Sequence, residues 1–142
     1  MKSAWIGKAL LSSALVLTLF ACKDKTESTT PAPVYVAGKG GLATMRVVMQ
    51  NSGLNVDSGW VYVKYNASVT PFDNKYDDSS LVIHVDGVPM AIFTSLKVGD
   101  YFFMGKGWDI IRSQTVYGTR PFTIEKSAES GTSYLYLQTA KQ

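Results

Sequence analysis

From Leu42 to the C-terminus, hydrophobic side chains recur at every second position rather than every third or fourth. Over residues 43–50, Ala43, Met45, Val47 and Met49 alternate with Thr44, Arg46, Val48 and Gln50. Over residues 60–67, Val61, Val63 and Tyr65 share one face, with Trp60, Tyr62, Lys64 and Asn66 on the other. Leu81, Ile83 and Val85 alternate with Val82, His84 and Asp86. Ala91 with Phe93, and Tyr101 with Phe103, form shorter pieces. Phe122 and Ile124 alternate with Thr123 and Glu125, and Leu135 and Leu137 with Tyr134, Tyr136 and Gln138. Successive side chains of a strand point to opposite faces, so this period of two predicts strands. Seven such candidates are each bounded by Gly, Asn, Asp, Ser or Pro, and no window carries a helical stripe. Residues 42–142 are therefore expected to form one all-β domain, a seven-stranded antiparallel β-sandwich with Greek-key connections.

The N-terminus has another character. Lys2 and Lys8 precede an uncharged run over residues 9–20. A membrane-crossing helix needs about 20 apolar residues, so this run is short for a span and suits the apolar core of a signal peptide. It ends in Leu19-Phe20-Ala21-Cys22, which resembles the lipobox recognised by bacterial lipoprotein-processing enzymes. That chemistry needs a small residue before the cut, here Ala21, and a thiol after it to carry the diacylglycerol. Residues 1–21 are expected to be a lipoprotein signal peptide, with Cys22 lipidated. Cys22 is the only cysteine among 142 residues, so no intrachain disulfide can form. Because more than one acyl chain gives stable anchoring, the expected partner of the N-terminus is a membrane surface.

Residues 22–41 read as a tether. Lys23, Asp24, Lys25, Glu27, Ser28, Thr29 and Thr30 cannot build a core. Pro31 and Pro33 favour an extended chain, and Gly38, Gly40 and Gly41 break regular structure. Val34-Tyr35-Val36 interrupts this polarity and is a candidate extra edge strand. Lys23-Asp24-Lys25 resembles the charged segments that follow the lipidated cysteine in surface-exported lipoproteins, which implies the outer membrane, with the domain exposed at the surface or in the periplasm.

Loss of residues 1–21 would leave 12 of the 14 basic residues against 11 acidic ones. The charges are interspersed, so nucleic-acid binding has no electrostatic basis.

One stretch is more specific. Residues 86–101, Asp-Gly-Val-Pro-Met-Ala-Ile-Phe-Thr-Ser-Leu-Lys-Val-Gly-Asp-Tyr, resemble a motif of prealbumin-like sandwiches, the transthyretin-like and carboxypeptidase-regulatory-like domains. In that motif an acidic turn leads into a strand ending in Phe, a Leu follows three residues later, and Gly-x-Tyr opens the next strand. The resemblance implies that Phe93 and Leu96 plug the core, Gly99 permits a tight reversal and Tyr101 points inward. Pro89 stands where the family carries glycine, so this turn is expected to be built differently. Val61-Tyr62-Val63-Lys64-Tyr65 before an acidic loop, Gly105-Lys106-Gly107-Trp108-Asp109 and Val116-Tyr117-Gly118 also resemble small envelope lipoproteins carrying this domain, the latter two at its glycine-rich turns. The resemblance implies a prealbumin-like or Ig-like fold and no particular activity.

Candidate chemistry is sparse. His84 is the only histidine, no Gly-x-Ser-x-Gly elbow occurs, and Cys22 is committed to lipid, so no catalytic residues and no cofactor are expected. The enzymatic branch of the prealbumin-like group, the hydroxyisourate hydrolases, relies on several histidines and a Tyr-Arg-Gly-Ser-type ending, neither of which matches here. Asp73, Asp77 and Asp78, with Asn74, Ser79 and Ser80, form a weak calcium candidate. Their spacing fits no EF-hand, and such residues equally serve turns. Asn66-Ala67-Ser68 matches a glycosylation sequon, which is read as chance because the lipobox resemblance implies a bacterial chain.

The aromatics carry more information. Trp60, Tyr62, Tyr134 and Tyr136 lie opposite the aliphatic faces, and Trp108 and Tyr117 fall in predicted loops. Exposed rings bind sugars, peptides or apolar partner surfaces, or else pack an extra layer. Trp60, Tyr62, Trp108 and Tyr117 are the expected ligand-binding residues. The sequence thus points to a non-enzymatic, lipid-anchored binding or accessory module of a larger envelope assembly, with a protein or glycan partner. A carbohydrate-binding surface lipoprotein is the first alternative. A small hydrolase, lacking a visible nucleophile–base pair, is the second.

Overall fold

The computed structural model describes residues 32–142; the signal-peptide segment, Cys22 and the start of the tether lie outside the described residues. Nine strands follow in order: β1 Lys39–Asn51, β2 Leu54–Asn55, β3 Ser58–Tyr65, β4 Asp78–Leu81, β5 Ile83–Val85, β6 Val88–Leu96, β7 Gly99–Asp109, β8 Gln114–Ile124 and β9 Thr132–Lys141. A 3₁₀ turn at Lys126–Ala128 is the only helical element among the described residues. No helix among them is long and apolar enough to cross a membrane.

The strands form one sheet in the order β4-β3-β7-β8-β9-β1-β6-β5, with β2 folded back on β1. The two ends of that order, β4 and β5, are separated in sequence by Val82 alone. One bent segment therefore pairs with β3 through its first half and with β6 through its second. The Ile92 amide on β6 donates to Ser80 Oγ on β4 at 3.1 Å, and the Val82 amide donates to the Gly59 carbonyl at 2.9 Å. The sheet thus curls into a near-barrel whose two terminal strands are covalently continuous, with an incomplete seam where β8 and β9 pair at only two positions.

The sequence expectation of an all-β domain holds. Strand number and direction differ from it. The stretch predicted as one strand around Leu81 divides at Val82 into two, and β2 is a two-residue return. β1 and β9 run parallel over eight paired positions, from Thr44↔Thr132 to Asn51↔Thr139, so the sheet is not wholly antiparallel. Parallel neighbours need a long crossover, and here the whole chain between the first and last strands supplies it. Val34-Tyr35-Val36 is exposed and joins no strand, while regular pairing begins at Lys39, inside the predicted tether.

The inward faces follow the predicted alternation. Met45, Val47 and Met49 of β1 meet Val61 and Val63 of β3, Phe93 and Leu96 of β6, Tyr101 and Phe103 of β7, and Leu135 and Leu137 of β9. The exception is the β4–β5 bend, where Val82 turns into the core while Leu81 and Ile83 face out. Between β5 and β6, Asp86 and Gly87 adopt positive φ of 51° and 79°, and Val85 pairs with Val88. This is the two-residue Asp-Gly hairpin turn. Pro89 needs no special turn of its own, because it sits inside β6 opposite His84.

Tyr101 ties the start of the domain down. Its hydroxyl donates to the Lys97 carbonyl at 2.7 Å and accepts from the Gly38 amide at 3.1 Å. Ala37, also buried, donates its amide to Asn66 Oδ1 at 2.7 Å. The chain therefore joins the barrel at the end where β3 finishes and β7 begins.

Candidate binding face

Residues 104–109 of β7 continue the strand through Gly105 and Gly107, where the sequence predicted a glycine-rich turn. The glycines face inward. A Cβ on Gly105 would meet Met49 Sδ at 2.5 Å, and one on Gly107 would meet Val56 Cγ1 at 2.8 Å. Gly105 faces Met49 and Leu137 across the core, and a Cβ on Gly107 would also meet the Ser58 carbonyl oxygen of the adjacent strand at 2.6 Å, so neither position has room for a side chain. Met104, Lys106 and Trp108 consequently share the outer face. Tyr117 likewise lies in β8 rather than in a loop.

Strand register then sets the arrangement. Lys106 pairs with Trp60 on β3 and with Tyr117 on β8, and Trp108 pairs with Ser58 and Thr115. Tyr62 pairs with Met104, one step along β3 from Trp60 on the same face. Directly opposed side chains have Cβ atoms roughly 4.5–5.5 Å apart, and diagonal ones about 7–8 Å. The four aromatics expected from sequence, Trp60, Tyr62, Trp108 and Tyr117, are therefore brought together around one lysine. Trp60 and Trp108 are 45% and 46% exposed, too open for core residues. A fifth ring arrives from the β3–β4 loop: Tyr76 lies 5.7 Å from Tyr62, centroid to centroid, at 46°. Burial, and then the neighbouring Tyr117 hydroxyl, raise the Tyr76 pKa above its ordinary value.

Two hollows divide this face. One of about 270 Å³ lies between Trp60 and Trp108 over the Gly59 and Gly107 backbone. The other, of about 510 Å³, is bounded by Tyr76, Tyr117, Met104 and Asn74. Tyr62 and Lys106 border both. Lys106 forms no ion pair with any described residue. The opposite wall behaves differently: Arg46 donates from Nη1 to Tyr134 Oη at 2.8 Å, and its guanidinium carbon lies 5.6 Å from that ring's centroid. Tyr134 already occupies its cation, whereas the rings around Lys106 leave theirs available. Tyr136 is half-exposed on the same outer side as Tyr134.

The acidic loop is locally committed. Asp77 accepts from Lys64 Nζ at 3.0 Å and from the Tyr65 amide at 2.7 Å. Asp78 accepts from the Ser79 amide at 2.9 Å and pairs with Lys39 at 2.8 Å, while Asp73 accepts from the Lys75 amide at 3.1 Å. Among the described residues no three His, Cys, Asp or Glu side chains gather at metal-binding spacing. His84 is exposed on β5, with Nε2 3.7 Å from Asp57 Oδ1.

At the far end of the barrel, Asp109 locks the β7–β8 hairpin to the end of β1. It accepts from Asn51 Nδ2 at 2.6 Å, from Arg112 Nη1 at 3.1 Å, and from the amides of Ile111 and Arg112 at 3.0 and 3.1 Å. Partial desolvation pushes its pKa up, but the Asn51 amide and the Arg112 contacts outweigh this and hold it below the ordinary value. A depressed carboxylate stabilises the fold above its unfolded pKa, and the contribution disappears as pH falls through the lower folded value. Thermal melts of the wild type and Asp109→Asn, taken from about pH 6 down to about pH 2.5, should show the gap between them closing below about pH 4. A gap independent of pH would mean that the charge on Asp109 is not what matters.

The four rings singled out from sequence share this face with Lys106 and Tyr76, which the sequence reading did not single out. The signal for Lys106 was present, since 104, 106 and 108 alternate outward once the segment is read as a strand. Tyr76 offered none, because a long loop delivers it. Comparison with protein-family models, curated proteins and solved structures gives no match to this chain.

Proposed function

We propose that this chain is a non-enzymatic binding module of the cell envelope, held to a membrane by lipid on Cys22 and meeting its partner through the face around Lys106. The observation that carries the reading is the convergence of Trp60, Tyr62, Trp108 and Tyr117, from two adjoining strand pairs, on one exposed surface. Rings fixed on paired strands lose little entropy on binding and desolvate well, the properties that make aromatics dominate binding energy. Position supports the same reading. The chain joins the barrel near Gly99, and Trp108 lies nine residues further along β7, up to about 30 Å at the usual strand rise. A tether at one end and aromatic rings toward the other suit a module that stands off a membrane.

A prealbumin-like sandwich is the finer form of the fold in this proposal. The wall β4-β3-β7-β8 packs against the wall β9-β1-β6 across a shared core, and Phe93, Leu96 and Tyr101 fill the inward positions that the resemblance implies. The lipobox and the Lys23-Asp24-Lys25 segment support the outer membrane as its location. Catalysis is left out because the sequence offers one histidine and no free cysteine with which to build a nucleophile–base pair.

Two measurements test the proposal. Cys22→Ala should move the protein from the membrane to the soluble fraction and abolish labelling by a palmitate analogue, with the fold intact. A variant that stays membrane-bound would remove lipid anchoring from the proposal. Trp60→Ala and Trp108→Ala should lose ligand on a glycan array or in an envelope pull-down, with little change in melting temperature. If both lower the melting temperature by about ten degrees, a loss of roughly 1–2 kcal/mol for a domain this size, the rings hold the fold and the binding surface lies elsewhere.

A further inference from the structure

We infer that the trough around Lys106 is a two-subsite site for acidic oligosaccharides, with Lys106 reading a carboxylate at the junction between two stacked sugar rings. This rests on the binding face proposed above and names the class of ligand it takes.

The argument starts from the lysine. Lys106 sits at a strand position flanked by Trp60 and Tyr117, with Trp108 and Tyr62 as further neighbours on the same face, and among the described residues it has no ion-pair partner. Any occupant that covers these rings also strips water from its ammonium group. An apolar or neutral occupant would leave a desolvated, unpaired cation, which is costly. An occupant that brings an anion to the same point turns that cost into a charge-assisted hydrogen bond. The face therefore selects for an anion beside a surface that stacks on rings.

The rings narrow the class. Trp60 and Trp108 rise from adjacent strands as diagonal neighbours, with the hollow of about 270 Å³ between them floored by glycine backbone. Such walls accept the C–H face of a pyranose, while Ser58 and Thr115 on its rim offer hydroxyls. The second hollow repeats the pattern with Tyr76 and Tyr117 as walls and Asn74 and Gln142 as polar rim. Two adjoining hollows, of about 270 and 510 Å³, that share Tyr62 and Lys106 fit consecutive units of one chain better than a single ring. An acidic peptide fits less well. β7 is paired on both sides along this stretch, to β3 and to β8, so it has no free backbone edge with which a peptide could form main-chain hydrogen bonds. Among the described acidic side chains Asp77 is paired with Lys64, and none forms an ion pair with Lys106.

The test uses the full chain in detergent and isothermal titration against three probe sets. These are oligomers of galacturonic, glucuronic and sialic acid, their neutral hexose counterparts of equal length, and oligoglutamate. At least one acidic sugar should bind, its neutral counterpart at least tenfold more weakly, and oligoglutamate no better than the neutral sugars. Lys106→Gln should weaken the acidic sugar at least tenfold and leave the neutral one unchanged, Lys106→Arg should retain binding, and added salt should weaken only the acidic interaction. Melting temperatures taken alongside report whether each variant is folded. If no acidic sugar binds, if Lys106→Gln changes nothing, or if oligoglutamate binds as well, the inference is overturned. Neutral sugar bound through Trp60 and Trp108 without Lys106 would overturn the acidic specificity and leave the binding face standing. Loss of folding in the tryptophan variants, with no probe bound by the wild type, would remove both.

Discussion

Phe93→Ala should destabilise the domain by about 3–5 kcal/mol, the range for emptying a buried aromatic site. Phe93 is 1% exposed and lies opposite Met45 on β1. Its ring stands edge-on to Phe103 at 5.6 Å, and Phe103 in turn stacks on Tyr101 at 6.2 Å. Phe93 comes from the β6 wall and Phe103 from the β7 wall, so this contact spans the barrel interior and joins halves of the sheet that are remote along the strand order. Truncation removes the transfer energy of the ring, opens a cavity between the walls, and forfeits an aromatic pair worth roughly 0.5–1.5 kcal/mol. The walls cannot collapse to fill the gap without breaking the strand pairing at the β4–β5 bend, where the sheet closes. Urea denaturation should show a lower midpoint at unchanged slope, and Phe93→Leu should recover a large part of the loss. A loss below about 1 kcal/mol would mean that the two walls are not held together here.

Phe93 and Tyr101 were legible in the sequence because two signals agreed on them, whereas Phe103 rested on the alternation alone. Period two put Phe93 and Tyr101 on apolar faces, and the resemblance over residues 86–101 gave Phe93, Leu96 and Tyr101 inward roles. The same alternation found Trp60 and Tyr62 as outward rings. It failed at the β4–β5 bend, where Leu81 and Ile83 look like the core side of a strand. Facing out, they leave the inward position to Val82, since closure of the sheet overrides local hydrophobicity. The resemblance misled at Gly105, Gly107 and Gly118, which it implied to lie in glycine-rich turns and which stand inside β7 and β8. Here glycine marks the close approach of other strands instead. The error hid the continuity of β7 and β8, and with it the fact that Lys106 lies between Trp60 and Tyr117. Nothing local could reveal the parallel pairing of β1 with β9, because those strands meet only when the whole chain has folded.

Gly118→Ala should cost about 3 kcal/mol, the upper end of the overpacking range, and should act on closure of the sheet rather than on β8 alone. β8 and β9 are paired at only two positions, Val116↔Lys141 and Tyr117↔Ala140. Beyond them the strands diverge, and Arg120 spans the gap by donating from Nη1 to the Tyr136 carbonyl at 3.0 Å. Gly118 stands at the point of divergence. A Cβ there would overlap the Gln138 carbonyl oxygen and press on Thr139 Cγ2 at 3.0 Å. The first obstacle is backbone, so no rotamer change relieves it, and β9 has to move. β9 is also the parallel partner of β1 along eight positions, and Thr139 Oγ1 donates to the Gln50 carbonyl at 3.0 Å. Displacement therefore strains the β1–β9 ladder as well as the short β8–β9 junction. Gly105→Ala offers the matched control, because the atoms it would meet belong to the side chains of Met49 and Leu137, which can shift. Hydrogen exchange separates the outcomes: Gly118→Ala should lose protection first across residues 132–141, whereas Gly105→Ala should lower stability less and spread the loss over the core. Equal costs for the two substitutions, with β9 amides still protected in Gly118→Ala, would show that the β8–β9 junction does not control closure.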